Sequence, residues 1–347
     1  SALAAFGKRI DDIAARVDTN VAVQKLEHVD GAVKTLDDAL QRRLAATLQM
    51  DRVVVVDVDE ASIERLQPRL GAWPYARDVY ATAHRFLVAS EARAVAYDIL
   101  FSEARDGDDA FAVALDRSAV LAAAALPYPY ARTDEYRAQL ASVALLDAQM
   151  NPQAAGLARP WPDLTLPLAK LTQASRARVG VITTGPDDDG VVRRLAPLHL
   201  AYDKVVPGFV VAALLAAEPA QALHIAEGRL RLGDRAWPMA RDGSIAPRLP
   251  GNWRDLTVVP FHQVVDAAEG APGNAHIGDI VRDRIVFVGS SSAVLGDFAL
   301  TPAGRLPGLN VNALMVETLL SGAVLSPPRA WLDIALVLLA LALPALL

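Results

Sequence analysis

The stretch that decides the fold is Val53-Val54-Val55-Val56, followed by Asp57-Val58-Asp59-Glu60. Four consecutive β-branched apolar residues predict a strand that is buried on both faces, which is typical of a parallel sheet. The acidic residues then stand at the carboxyl end of this strand, and a helix is predicted from Ala61 onward. The main domain is therefore expected to begin with the first half of a βαβ unit.

The same alternation of strands and helices continues along the chain. Further strands are predicted at 94–98, 119–124, 179–182, 191–198 and 284–288, helices at 77–89, 108–115, 209–217 and 311–321, and a hairpin at 223–237 that turns at Glu227-Gly228. The proline- and alanine-rich stretch 127–167 is predicted to be a long irregular insertion with room for one helix. The expected fold class is α/β, with a mixed, largely parallel sheet and flanking helices.

The chain divides into three predicted parts. Residues 1–50 form an N-terminal amphipathic helical segment, residues 51–325 the main domain, and residues 328–347 the start of a transmembrane helix. The apolar stripe of the first segment either packs on the domain or forms a dimer seam; it consists of Phe6, Ile10, Ile13 and Val17.

The C-terminal stretch carries a single charge, Asp333, between Trp331 and Leu347. A complete membrane span needs about 20 apolar residues, so this stretch is either a truncated span or a buried core helix. Pro327-Pro328-Arg329 directly before it reads as a boundary, which favours the truncated span.

Composition excludes several classes of function. There is no cysteine in the 347 residues, which excludes disulfides, thiolate metal sites and cysteine nucleophiles. A formal net charge of −6 leaves no basic footprint for nucleic acid. The six histidines are scattered without metal-ligand spacing, and no dinucleotide-binding or phosphate-binding glycine loop occurs, so no cofactor is expected.

Polar residues stand at or just after several predicted strand ends, where open parallel sheets bind ligands. The candidate ligand-binding residues are Asp57, Asp59, Arg77, Asp98, Ser290 and Asp297. The alternative is that the carboxylates only cap helices, as Asp59 would do for the helix after the first strand. If the carboxylates cluster, they either bind a cation or an amine, or share protons through a raised pKa, or Arg77 or Arg193 neutralises them.

The order Asp57-Val58-Asp59 resembles the first motif of the haloacid-dehalogenase phosphohydrolases. These enzymes are magnesium-dependent and use one aspartate of the motif as nucleophile and the second as general acid. The later motifs occur in the wrong order, because the run Asp187 to Asp189 precedes Ser290. Ala61 also stands where that family usually has threonine or valine. This enzyme class is therefore the alternative hypothesis, together with a periplasmic scaffold that senses nothing.

Five blocks occur in the order typical of another family: VVVVDVDEASI (53–63), AWPYARD (72–78), AVAYDILFSE (94–103), PDDDGVVRR (186–194) and RIVFVGSS (284–291). Together with Gly296-Asp297, Thr301-Pro302 and Pro307-Gly308 they resemble the CHASE domain of the second type, CHASE2, from Leu36 to Gly322. Two positions depart from the pattern: Asn312 replaces a frequent histidine, and Tyr75 replaces the second aromatic residue of Trp-Pro-Trp.

The resemblance implies a sensor domain without catalysis of its own, in a receptor of the bacterial inner membrane, with this portion periplasmic or extracellular. It further implies that the full-length receptor carries a cytoplasmic cyclase or kinase as output module. The expected partners are an unknown small ligand or a periplasmic protein, the membrane, and a second copy of the chain as a homodimer. Nucleic acid is not expected as a partner.

Overall fold

The structure is a computed structural model that describes residues 48–147, 152–175, 177–292 and 297–326. These residues belong to the second of the two units into which the chain divides, Thr47–Leu347. The predicted amphipathic segment up to residue 47 and the stretch 328–347 lie outside the described residues. Within the described ranges, no helix is both long enough and apolar enough to cross a membrane.

The described residues form ten α-helices and eighteen strands. The helices are α1 (Glu60–Leu70), α2 (Arg77–Ala89), α3 (Asp108–Ala114), α4 (Asp134–Val143), α5 (Pro152–Leu157), α6 (Ala169–Ser175), α7 (Phe209–Ala217), α8 (Phe261–Ala268), α9 (Ile277–Val281) and α10 (Gly308–Leu320). The strands are β1 (Val53–Asp57), β2 (Ala94–Tyr97), β3 (Ala119–Leu126), β4 (Leu146–Asp147), β5 (Arg159–Trp161), β6 (Asp163–Thr165), β7 (Arg178–Val181), β8 (Leu198–Ala201), β9 (Lys204–Pro207), β10 (Leu223–Ala226), β11 (Arg229–Leu232), β12 (Arg235–Pro238), β13 (Ala246–Pro247), β14 (Thr257–Pro260), β15 (Ile285–Gly289), β16 (Phe298–Thr301), β17 (Gly304–Pro307) and β18 (Val324–Leu325).

A seven-stranded sheet forms the centre of the domain. Its strands follow the order β14-β1-β15-β2-β3-β6, and β7 also pairs with β3. All of these pairs are parallel except β3 with β6. The predicted mixed α/β fold with a largely parallel sheet is therefore confirmed.

Each face of the central sheet is covered by its own set of helices. On one face, Val53 and Val55 of β1 belong to the same core cluster as α7 and α10. On the other face, Val54 and Val56 pack with residues of α1, α2 and α8. Helices on both sides explain why β1 has no polar residue before its end.

Smaller sheets surround the central one. β10, β11 and β12 form an antiparallel meander, β4-β9-β8-β5 a four-stranded sheet, and β13 with β18 and β16 with β17 form two-stranded pairs. The hairpin predicted around Glu227-Gly228 is confirmed by the pairing of Ala226 with Arg229.

Two local predictions were wrong. The stretch 127–167 contains two helices, α4 and α5, and the short strands β4 to β6 rather than one irregular insertion. The predicted strand 191–198 is also absent from the described structure: Val191 and Leu195 form only isolated bridges, to Leu300 and Ile245, and a strand begins at Leu198. A strand needs a continuous partner, and this stretch meets a different neighbour at each bridge.

Candidate functional site

The carboxyl ends of β1, β15 and β2 form one edge of the central sheet. Asp57 is in register with Gly289, and Asp98 follows β2 directly, where its N–H donates to Val288 O at 2.7 Å. Asp57 and Asp98 therefore flank β15 at the same edge, about 10 Å apart by the usual spacing of neighbouring strands. This placement agrees with the prediction that both aspartates lie at the same edge of the sheet.

The two aspartates also lie on the same face of the sheet, because side chains alternate between faces along a strand. Val55 and Ala96 both belong to the core under α7 and α10, and Asp57 and Asp98 follow them by two residues. Gly289 lies between the aspartates. A Cβ atom there would meet a side-chain carbon of α10 at 2.9 Å and Asp98 Cβ at 3.1 Å, so glycine permits this close packing.

Asp57 is bound on both carboxylate oxygens by the loop that follows β15. The N–H of Ser291 donates to Asp57 Oδ1 at 2.8 Å, and the Ser291 hydroxyl donates to Asp57 Oδ2. Burial raises the pKa of Asp57, and the two hydrogen bonds from Ser291 partly oppose this rise. The neighbouring Ser290 hydroxyl donates to Val58 O at 2.6 Å. Asp57 and Ser290 thus fasten this loop to the end of β1.

Asp59 acts as the N-cap of α1. Its Oδ1 accepts a hydrogen bond from Ser62 N at 2.7 Å, and its backbone is extended, with φ −77° and ψ 173°. Such a cap stabilises a helix by about 1 kcal/mol. The capping alternative considered from the sequence is therefore confirmed for Asp59.

Asp98 differs from Asp57 in the side chains that form hydrogen bonds with its carboxylate. Among the described side chains, Asn312 of α10 donates to Asp98, from Nδ2 to Oδ2 at 3.1 Å. Burial raises the pKa of Asp98 to about 7; the bond from Asn312 lowers the pKa and the charge of Asp297 raises it. Asp98 is therefore a carboxyl that changes charge near neutral pH and touches α10 directly.

Asp297 lies at the N-terminal end of α10. Its backbone oxygen accepts from Gly308 N at 3.0 Å, and its carboxylate occupies the space that a Cβ atom at Gly308 would need. A carboxylate is favourable at this end of a helix because the unpaired N–H groups carry partial positive charge. Asp297 is exposed as a residue, yet partial burial of its carboxyl raises the pKa. Asp98 and Asp297 thus approach the first turns of the same helix.

Neither arginine that could have neutralised the edge does so. Arg77 is buried on the opposite face, where its Nε lies 3.4 Å from Asp108 Oδ1 and its guanidinium stacks over Phe101 at 4.5 Å. Arg193 instead binds the acidic turn near it, at 3.1 Å from Asp187 and 2.9 Å from Asp189. The idea that Arg77 or Arg193 pairs with the edge carboxylates was therefore wrong, since both already bind nearer carboxylates.

A narrow cleft adjoins Asn312 on the side of α7, and sequence reasoning did not find it. His199, Thr183 and Gly208 contribute to its lining, and its volume of about 20 Å³ has room for about one water molecule. Burial lowers the pKa of His199 to about 4, and its Nδ1 accepts from Trp161 Nε1 at 2.9 Å. The only signal in the sequence was a histidine inside an apolar strand.

A serine–histidine pair that was not predicted from the sequence joins α1 to α8. The Ser62 hydroxyl lies 3.0 Å from His262 Nδ1, the spacing of a nucleophile and its base. Ser62 is completely buried, and its Oγ also accepts from His262 N at 3.2 Å. A substrate could not reach this hydroxyl, so the pair is a structural connection between two helix N-termini.

The described residues do not contain a group of three or more histidine, aspartate or glutamate side chains placed to hold a metal ion. Asp57, the residue aligned with a phosphatase nucleophile, is held on both oxygens by Ser291. Asp59, aligned with the general acid, caps a helix. The geometry therefore gives no support to the haloacid-dehalogenase alternative.

Comparison with known proteins gives one match. No curated protein and no solved structure matches the chain. The family model described as the CHASE2 domain matches residues 13–346, which is nearly the whole sequence. CHASE2 domains are extracytoplasmic sensory domains, and this chain belongs to the CHASE2 family.

Proposed function

We propose that the chain is the periplasmic sensing portion of a receptor in the bacterial inner membrane, and that it regulates a cytoplasmic cyclase or kinase. In this proposal it works as a homodimer and responds to a small ligand or a periplasmic protein. The sensory role follows the family; the membrane anchor, the dimer and the output module are the further steps proposed.

The site we propose for sensing is the group formed by Asp98, Asn312 and Asp297 at the start of α10. Both carboxyls have raised pKa values, and the pKa of Asp98 is about 7. A cationic ligand favours the ionised form of such a carboxyl, while a proton favours the neutral form. Either event changes the charge beside Asn312, and hence the hydrogen bond that holds α10.

The observation that carries the proposal is the position of α10 between two edges of the sheet. Its thirteen residues span about 20 Å at 1.5 Å per residue. Asn312 near its start contacts Asp98 at the carboxyl edge. Glu317 near its end accepts hydrogen bonds from Arg52 N and Val53 N, both at 2.8 Å, at the start of β1.

Glu317 makes α10 a connection between the site and the beginning of the domain. Its side chain is completely buried, its Oε2 lies 3.7 Å from Arg52 Nη1, and burial raises its pKa. A ligand at Asp98 that prefers one position of α10 would therefore act on the segment that leads into β1. A ligand shifts such an equilibrium by its difference in affinity for the two arrangements.

Hydrogen exchange tests this coupling on the whole chain. Asp98→Asn imitates the neutral carboxyl, and at pH 8 we expect it to change protection of the Arg52 and Val53 amides as well as of α10. Asp234→Asn, at an exposed turn, is the matched control and should change neither region. A change confined to the surroundings of Asp98 would favour a scaffold without sensing. Hydrolysis of a generic phosphomonoester with magnesium would instead favour the enzyme.

A further inference from the structure

A cavity of about 400 Å³ opens at the amino edge of the central sheet, away from Asp98. Arg178, the first residue of β7, lines it, and parallel pairing with Val120 near the start of β3 places Arg178 at this edge. The rest of the lining is more apolar than polar, although it contains Gln221 and His224, and it comes from α5, β8, α7, β10 and the chain before β4 and β10. It includes Leu145, Leu198, Leu215, Leu223 and Ile225. This size and lining are typical of small-molecule sites, which occupy about 300–1,000 Å³.

Arg178 has no counter-charge within the part of the chain that the structure describes. Its Nε is buried without a hydrogen-bond partner, and no described acidic side chain forms an ion pair with it. The charge that acts on it is that of another arginine, Arg117. Burial and this like charge both lower the pKa of Arg178.

Two other arginines that are buried or partly buried face carboxylates. Arg77 faces Asp108, and Arg132 binds Asp163 at 2.7 Å. A desolvated cation without a partner is costly, and proteins normally provide one. Arg178 is thus a partly buried cation that lines a cavity and that no described carboxylate neutralises.

We propose that this cavity binds a small organic anion with an apolar body, whose carboxylate or phosphate head pairs with Arg178. The guanidinium offers two parallel N–H groups that match such a head. The apolar body would lie against Leu198, Leu215 and Ile225, which exclude water from the pair. The site is separate from the Asp98 edge, and the inference holds whether or not that edge senses a ligand.

Calorimetric titration of the whole chain with four probes tests the inference. The probes are octanoate and octyl phosphate, which carry both head and chain, octan-1-ol, which lacks the charge, and acetate, which lacks the chain. We expect one or both amphipathic anions to bind at one site, at least about ten-fold more tightly than octan-1-ol and acetate. The stronger of the two identifies the head group. Binding of neither anion, or octan-1-ol binding as tightly as both, would overturn the proposal.

A variant assigns the binding to this arginine. Arg178→Gln should weaken binding of the preferred anion by about ten-fold or more. Arg137→Gln, at an exposed arginine of α4 that has no described ion pair, is the matched control and should leave the affinity unchanged. Unchanged affinity in Arg178→Gln would refute the assignment. If that variant does not fold, the comparison of the four probes with the original chain still decides the matter.

Discussion

Asp98→Asn removes the charge at the start of α10 and keeps an oxygen that can accept from Asn312. Burial raises the pKa of Asp98 from an ordinary 3.8 to about 7 in the folded protein. Because the folded-state pKa is the higher one, the contribution of Asp98 to stability is fully present below pH 3.8. It is then lost as the pH rises through about 7.

This difference in pKa corresponds to about 4 kcal/mol at pH 8, at about 1.4 kcal/mol for each pH unit. Asp98 is only half-buried, and solvent screening reduces the cost, so we expect about 2 kcal/mol. The variant should therefore be about 2 kcal/mol more stable than the original protein at pH 8 and within about 0.5 kcal/mol of it near pH 4.

Urea unfolding followed by circular dichroism at pH 4 and pH 8 measures both differences, since the midpoint moves with the free energy of unfolding. Asp234→Asn serves as the exposed control and should change the free energy of unfolding by no more than about 0.5 kcal/mol at either pH. A variant that gains nothing at pH 8 would show that Asp98 ionises without cost, and the reasoning from burial would be refuted.

Three further changes test other parts of the structure. Glu317→Ala should destabilise the protein by about 3 kcal/mol in urea unfolding because two backbone N–H groups lose their acceptor. Glu317→Gln keeps that oxygen and should cost clearly less stability. Equal losses of stability in the two variants would contradict this account. Gly289→Ala places a methyl group 2.9 Å from α10 and should cost about 1–3 kcal/mol, whereas Gly273→Ala, with nothing within 4 Å, should be close to neutral. Replacing Ile10 and Ile13 by aspartate should dissociate the proposed dimer and leave the circular dichroism of the core unchanged; light scattering that finds a monomer before the replacement would remove this seam.

The strands of the central sheet could be predicted where their sequence matched their burial. β1 and β15 are continuous apolar runs because helices cover both faces of the sheet. β14 was not predicted, since Thr257–Pro260 is short and ends in proline, and it is defined by its pairing with β1. The stretch 191–198 shows the reverse case, in which a favourable composition lacks a continuous partner strand.

The edge of the sheet could be predicted, but not the roles of its residues. Parallel strands place their carboxyl ends together, so the positions of Asp57 and Asp98 followed from the strand assignments. Their partners did not, because Asp57 and Ser291 lie 234 positions apart and Asp98 and Asn312 lie 214 apart. Contacts across such separations depend on how the helices pack, which no local pattern encodes.

The two aspartates show how one edge can contain both a structural and a responsive carboxyl. Asp57 receives two hydrogen bonds from Ser291, so a ligand would have to displace a loop that is fastened at the same place by Ser290. Asp98 receives one described bond, from a helix that is itself held at its other end by Glu317. Because burial opposes ionisation at both aspartates, the number of donors decides which carboxyl responds to its surroundings. A change of charge at Asp98 should therefore affect the position of α10 and, through α10, the start of β1.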